Sequence, residues 1–225
     1  MQASPLAFLG GTGPEGKGLA LRLALAGEAG IIGSRDAERA QAAAEQLAAV
    51  GDGIGSNCAG ADNLEAASQA SVIFLTVPYE AQRPLLEQLR ESVREPLRGK
   101  VVVNVIAPMK FERGRGASAI PVAAGSAAEE AQQLLPDSLI VAAFQNVSAE
   151  ELQNPDRVML GDVVICSDFS DAKTLVSDLT RKIPDLRPVD GGGLANSRYV
   201  EQITPLLVNI NRIYKSHAGI KIVGL

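Results

Sequence analysis

Leu6-Ala7-Phe8-Leu9-Gly10-Gly11-Thr12-Gly13-Pro14-Glu15-Gly16-Lys17-Gly18 decides the fold. The apolar run Leu6 to Leu9 reads as a buried strand. The glycines turn the chain sharply, and Leu19-Ala20-Leu21-Arg22-Leu23-Ala24 continues as a helix with Pro14 in its first turn. Gly11, Gly13 and Gly16 have the spacing G-x-G-x-x-G, in which backbone N–H groups and a helix N-terminus can approach a pyrophosphate. Lying between a strand and a helix, the spacing is a dinucleotide signal rather than a bare glycine turn. The same residues miss the triphosphatase P-loop by one position. Gly18 stands where that loop needs a Ser or Thr hydroxyl for magnesium, and the later strand Ser71-Val72-Ile73-Phe74-Leu75-Thr76-Val77 ends in no aspartate to hold the ion.

Working outward, the alternation of strand and helix continues. The first helix is predicted over Pro14 to Ala26, a second strand at Ile31-Ile32, and an alanine-rich helix from Asp36 to Val50 stopped by Gly51-Asp52-Gly53. Ile54 to Ala61 is too rich in glycine to assign. A short helix over Asn63 to Ala70 leads into the strand Ser71 to Val77, then a helix from Tyr79 to Leu97 and a strand from Val101 to Ile106. Ala107 to Gly125 reads as one long loop. Ser126 caps a helix to Leu135, with Glu129 completing a capping-box pattern. A strand follows at Ser138 to Phe144, another at Val163 to Cys166, a helix at Ser170 to Lys182 and an extended piece at Leu186 to Val189. The longest helix is predicted from Leu194 to Ser216. Val200, Ile203, Leu207, Ile210 and Tyr214 form its apolar seam, as core or dimer interface, and Pro205 should kink or break it, presenting Gln202 and Thr204 to a pocket. The fold class is therefore α/β: a Rossmann-type, doubly wound, mostly parallel sheet with a smaller C-terminal α/β lobe, divided as residues 1–145 and 146–225.

Composition narrows the function. In 225 residues, 46% are hydrophobic but only 4% aromatic, so the core must be aliphatic. A net charge of −5 gives no long-range attraction to nucleic acid or acidic membrane. No segment approaches the length of an apolar membrane span, and no basic leader precedes the first strand, so a soluble cytoplasmic protein is expected. Cys58 and Cys166 lack metal-ligand spacing and suit a reducing compartment; no metal site is expected. Asn146-Val147-Ser148 matches a glycosylation acceptor, which has no meaning without secretion.

The second chemical signal lies at the end of the second strand, about 20 residues after the glycines, where an NAD-binding protein places Asp or Glu on the ribose 2′-hydroxyl. Here the residues are Gly33-Ser34-Arg35. A hydroxyl and a guanidinium can donate to a 2′-phosphate that a carboxylate would repel, so the cofactor reads as NADP. Arg39, one turn on, can assist. Asp36 is assigned to the helix N-cap rather than to the ribose. Acid–base groups are scarce: the one histidine, His217, is expected at the exposed end of the last helix, and none of Tyr79, Tyr199 and Tyr214 has Lys four residues on. Hydride transfer between two stacked cofactors needs chiefly alignment, and fits such a chain.

In order, the motifs Leu9 to Arg22, Ile32-Gly33-Ser34-Arg35, Thr76-Val77-Pro78-Tyr79-Glu80, Leu186-Arg187-Pro188-Val189-Asp190, Leu194-Ala195-Asn196-Ser197-Arg198 and Glu201-Gln202-Ile203-Thr204-Pro205-Leu206 cover nearly the whole chain. Together they resemble the NADPH-dependent coenzyme F420 reductases. The resemblance implies reversible hydride transfer between C4 of the nicotinamide of NADP(H) and C5 of the deazaflavin F420. It implies a cofactor site of Gly11, Thr12, Gly13, Pro14, Glu15, Gly16, Ser34, Arg35 and Arg39 for NADP. Val77, Pro78, Ala107, Pro108, the run Phe144 to Val147 with Gln145 and Val147 in it, and Thr204 would lie near the deazaflavin, in the cleft between the two lobes. No catalytic side chain is assigned. The partners are these small redox cofactors and a second copy in a homodimer. Where the family leads one to expect a histidine, this chain has Gln145, which can donate a hydrogen bond but cannot become cationic. Reduction of another flavin, a metal or an imine is the alternative within enzymes; an NADP-binding sensor without turnover is the alternative outside them.

Overall fold

The structure is a computed structural model and describes residues 4–50 and 57–225. The stop expected at Gly51-Asp52-Gly53 lies outside the described residues. Six parallel strands form the main sheet: β1 (Leu6–Leu9), β2 (Gly30–Ser34), β3 (Cys58–Asp62), β4 (Val72–Leu75), β5 (Val101–Asn104) and, after the hairpin strands β6 (Met109–Glu112) and β7 (Gly116–Ala119), β8 (Leu139–Ala142). Their spatial order is β3-β2-β1-β4-β5-β8, so β1 is central and the order reverses between β1 and β4, the place where open α/β sheets bind ligands.

The helices cover both faces of this sheet. Leu6 and Phe8 point into one core with Leu19, Leu23, Ala40, Ala44 and Leu47 from α1 (Pro14–Leu25) and α2 (Ala37–Ala48). Ala7 and Leu9 point into the other with residues of α3 (Asn63–Gln69), α4 (Tyr79–Ser92) and α6 (Ala127–Leu134). The two-residue period along β1 explains why an uninterrupted apolar run is needed: both sides of the strand are dry. The few aromatics concentrate here, with Phe8 stacked on Phe74 at 4.9 Å and Phe74 tilted against Phe144 at 6.1 Å.

Beyond β8 the chain makes the short α7 (Ala149–Leu152), then β9 (Gly161–Ile165), α8 (Ser170–Arg181) and β10 (Leu186–Asp190), with β9 and β10 paired in parallel. An antiparallel bridge between Ala142 and Cys166 ties this small sheet to the edge strand. A single 3₁₀ turn at Leu194–Asn196 opens the last helix, α9 (Ser197–Tyr214).

Several expectations are corrected. The stretch 107–125 is not a plain loop but contains the β6–β7 hairpin, fastened to α9 by Asn209, which accepts from Ala117 N at 2.9 Å and donates to Ala117 O at 2.7 Å. The unassigned glycine-rich stretch contains β3, whose small residues reflect contact with α2: a Cβ on Gly60 would lie 2.2 Å from Gln41 N. The predicted helix from Tyr79 divides at Val93 into α4 and α5 (Arg94–Leu97). β5 ends at Asn104 because its side chain turns back to accept from Ile106 N at 3.0 Å. α9 runs unbroken through Pro205, and its predicted seam splits: Val200 and Leu207 are buried whereas Tyr214 is exposed.

Candidate functional site

The C-terminal ends of β1, β2, β4 and β5 open into one cavity of about 1070 Å³, at the upper end of the range for single-ligand pockets. Its floor is the glycine turn, where each glycine has a distinct steric reason. A Cβ on Gly11 would lie 2.5 Å from Phe8 O, and one on Gly16 2.6 Å from Gly11 Cα. These two therefore shape the turn and press α1 onto the sheet. Neither lines the cavity. Gly13 does line it, and a Cβ there would meet nothing nearer than Gly10 O at 3.5 Å, which leaves backbone open to a ligand. Gly18, the position that excluded the P-loop, is glycine for packing: a Cβ would lie 2.4 Å from Leu152 Cβ of α7.

At the end of β2, Ser34, Arg35 and Arg39 line one end of the cavity. Asp36 is engaged as the N-cap of α2, accepting from Glu38 N at 3.0 Å and Arg39 N at 3.2 Å, so its carboxylate is not offered to a ribose. Arg35 and Arg39 are exposed, and among the described residues neither guanidinium pairs with a carboxylate. Two unpaired guanidiniums beside a buried serine hydroxyl leave this end of the cavity cationic and rich in hydrogen-bond donors.

The other half is assembled from distant parts of the sequence. Phe144, fully buried, adopts φ 71° and turns the chain off the end of β8, with Val147 N donating to its carbonyl at 3.1 Å. Such a backbone is costly for an aromatic residue and is held by packing against Phe74. It sets Gln145 and Asn146 side by side. Gln145 Nε2 donates to Asn104 O at 2.9 Å, and Asn146 Nδ2 donates to Val200 O at 3.0 Å and to Thr204 Oγ1 at 2.9 Å, while Thr204 in turn donates to Gln145 O at 2.9 Å. These donors fix both amide orientations. They leave Gln145 Oε1 and Asn146 Oδ1 buried without a partner. The unpartnered polar atom of Gln145 is therefore an acceptor, not the donor expected of it, because its amide nitrogen is engaged by Asn104 O.

Glu15 stands in the first turn of α1 with Oε1 also buried and unpartnered. Burial pushes its carboxyl up to about 8. A neutral carboxyl suits a turn that faces phosphate better than an ionised one. Three residues that line the cavity, Glu15, Gln145 and Asn146, thus each carry a buried side-chain oxygen without a hydrogen-bond partner.

The cavity thus brings together Thr12, Gly13, Pro14, Glu15, Ser34, Arg35, Arg39, Val77, Pro78, Ala107, Gln145, Val147 and Thr204. It leaves out Gly11 and Gly16, which pack behind it, and Pro108, which is buried with its carbonyl accepting from Ile120 N at 3.0 Å. Gln202 is exposed and does not line it. Sequence reading missed Asn63, Asn211 and His217, and reached Asn146 only as a member of the run Phe144 to Val147. Asn63 Oδ1 accepts from Gly10 N at 3.3 Å, a link between residues 53 apart that no local pattern announces.

A doubly wound sheet with a glycine turn at the switch point of its strand order, opening into one large cavity that also holds Ser34, Arg35 and Arg39, defines the class: a Rossmann-type α/β protein. Residues 5–108 match the family described as "NADP oxidoreductase coenzyme F420-dependent". The chain is similar to the F420-dependent NADP reductase of Methanothermobacter marburgensis, at 45% identity over 98% of both chains. It is also similar to that of Methanothermobacter thermautotrophicus, at 41% identity over 98% of this chain and 95% of the relative. A crystal structure from Arthrobacter sp. FB24 shares the fold, with a TM-score of 0.79 at 21% identity over 98% of this chain and 100% of that one. The chain belongs to the F420-dependent NADP reductase family.

Proposed function

We infer that the protein is an oxidoreductase that moves a hydride between NADP(H) and coenzyme F420. The observation that carries this reading is the single cavity lined by Ser34, Arg35 and Arg39, by Gly10, Thr12 and Gly13 of the glycine turn, and by Gln145 and Asn146. When both cofactors are bound, the nicotinamide supplies or takes the hydride and the deazaflavin is its counterpart. The chain's own work is binding and alignment. Ser34, Arg35 and Arg39 hold the 2′-phosphate, Thr12 to Glu15 the pyrophosphate, and Val77, Pro78 and Ala107 give an apolar wall from which water is excluded. Gln145 Oε1 and Asn146 Oδ1 accept from N–H groups of the ring system, in an orientation that Thr204 maintains.

Residues 1–145 form the NADP-binding unit in this reading, and 146–225 the smaller lobe that closes the deazaflavin side. The exposed apolar residues Tyr199, Leu206 and Ile213 on α9 support a homodimer through that helix, and the free thiols Cys58 and Cys166 support the cytoplasm. Other flavin, metal or imine substrates are less well supported, because the full-length relatives are named for F420. The test is direct: purified protein mixed with NADPH and oxidised F420 should bleach the deazaflavin absorbance with stoichiometric loss of NADPH. NADPH binding without bleaching would leave a nucleotide sensor.

A further inference from the structure

His217 follows α9, on a tail whose path is fixed on both sides of it. Lys215 takes a left-handed conformation, φ 50°, and ends the helix. Asn211 then folds the chain back, accepting from Ala218 N at 2.7 Å while its own carbonyl accepts from Ser216 N at 3.2 Å. Further on, Asp162 N donates to Ile220 O at 2.8 Å, and Arg187 donates to Ile222 O at 2.7 Å and Leu225 O at 2.9 Å. This double fastening brings His217 across to α7, with Nδ1 3.5 Å from Ser148 Oγ and Nε2 3.4 Å from Glu150 Oε2, in the wall of the cavity.

Charge makes that placement informative. Among the described residues lining the cavity, the only side chains that can carry positive charge are Arg35, Arg39 and His217. The two arginines are grouped with Ser34 at the corner read as the 2′-phosphate site. A second cofactor with acidic groups has one cation left to meet, and its surroundings are long, weak contacts. Glu150 is 77% exposed and can leave for solvent.

We propose that His217 is an anion-recognition residue for the second cofactor, its imidazolium meeting a phosphate or carboxylate of the F420 side chain in place of Glu150. This rests on the functional reading above. F420 differs from its bare deazaflavin core by that acidic side chain, so His217 acts on affinity for the whole cofactor and not on the ring.

The experiment measures binding of F420 and of the side-chain-free deazaflavin core, by fluorescence titration in the presence of NADP, to wild type, His217→Ala, His217→Lys and Glu150→Gln. The expected result is about a tenfold loss of F420 affinity in His217→Ala, the scale of one charge-assisted hydrogen bond, with affinity for the core unchanged. His217→Lys should retain the preference for F420, and Glu150→Gln, by removing the competing carboxylate, should strengthen it. Equal losses for F420 and core, or no loss for either, would overturn the assignment; unchanged NADPH binding confirms that each variant is folded. Turnover of F420 by wild type is recorded in parallel. Its absence would overturn the functional reading and this inference with it, whereas turnover with an unaltered F420-to-core ratio in His217→Ala overturns the inference alone.

Discussion

The two halves of the cavity are built by opposite means. The half proposed to hold NADP is local: the glycine turn and the Ser34-Arg35 corner each occupy a few consecutive residues, and the turn's geometry follows from backbone sterics at Gly10, φ 76°, Gly11 and Gly16. The second half is convergent. Gln145 and Asn146 are oriented by Asn104, Val200 and Thr204, which lie 41, 54 and 58 residues away in sequence. The first half should therefore tolerate disturbance of the C-terminal lobe, whereas the second should fail whenever the lobes shift. One device joins them. Arg22 on α1 is buried and donates to carbonyls of Glu151 at 2.8 Å, Leu152 at 3.0 Å and Arg157 at 2.9 Å, so the helix that starts at the glycine turn also holds α7.

The largest effect should come from breaking that joint. Arg22→Met leaves several buried carbonyls without donors and should cost about 3 kcal/mol or more of stability in urea unfolding. The crowding at Gly18 predicts a similar outcome: Gly18→Thr, which restores the P-loop hydroxyl, should destabilise by about 1–3 kcal/mol through collision with Leu152 and confer no triphosphatase activity. A full-strength fold in either variant would separate the halves more than this account allows.

Within the NADP half, Arg35→Ala should weaken NADPH by about 1.5–3 kcal/mol and NADH hardly at all, measured as dissociation constants. Equal losses would remove the phosphate role. Within the second half, Thr204→Val should reduce F420 affinity by about 1 kcal/mol with NADPH unaffected, because it releases the Gln145–Asn146 pair rather than any direct ligand contact. The smallest effect concerns pH. Burial raises Glu201 to about 7, against the pull of its bonds from Ala127 N and Ala128 N, and raises Glu15 to about 8. Both folded values lie above the unfolded one, so their contribution to stability is present below about pH 4.5 and is lost as pH rises through 7 and then 8. Thermal midpoints of the cofactor-free protein should fall over that range, and Glu201→Gln should flatten the earlier part.

This contrast also sets what the sequence could reveal. The β1–turn–α1 unit was legible because its pattern is short and each residue's reason is steric and near. Asp36 as an N-cap and Ser126 as another were legible for the same cause, and Asp36 and Ser126 do accept from Arg39 N and Glu129 N. β3 escaped because packing under α2 demands small residues and erases the apolar period. The β6–β7 hairpin escaped because it is completed by Asn209, 92 residues from Ala117. At the site, Gln145 came from resemblance to a family, not from pattern, whereas Thr204 came from the Pro205 reading as well as from that resemblance. Asn146 came only as a member of the run Phe144 to Val147 that the resemblance brought near the deazaflavin; His217 does lie exposed just past the end of α9, and what the sequence did not reveal is its approach to Ser148 and Glu150.

The central claim is direct hydride passage between two cofactors held in one cavity, and isotopic labelling tests it most directly. NADPH deuterated at the transferable C4 position, mixed with oxidised F420 and this protein in ordinary water, should deliver deuterium to C5 of the reduced deazaflavin. Reduced F420 carrying only solvent hydrogen at C5, or no reduction at all, would contradict it.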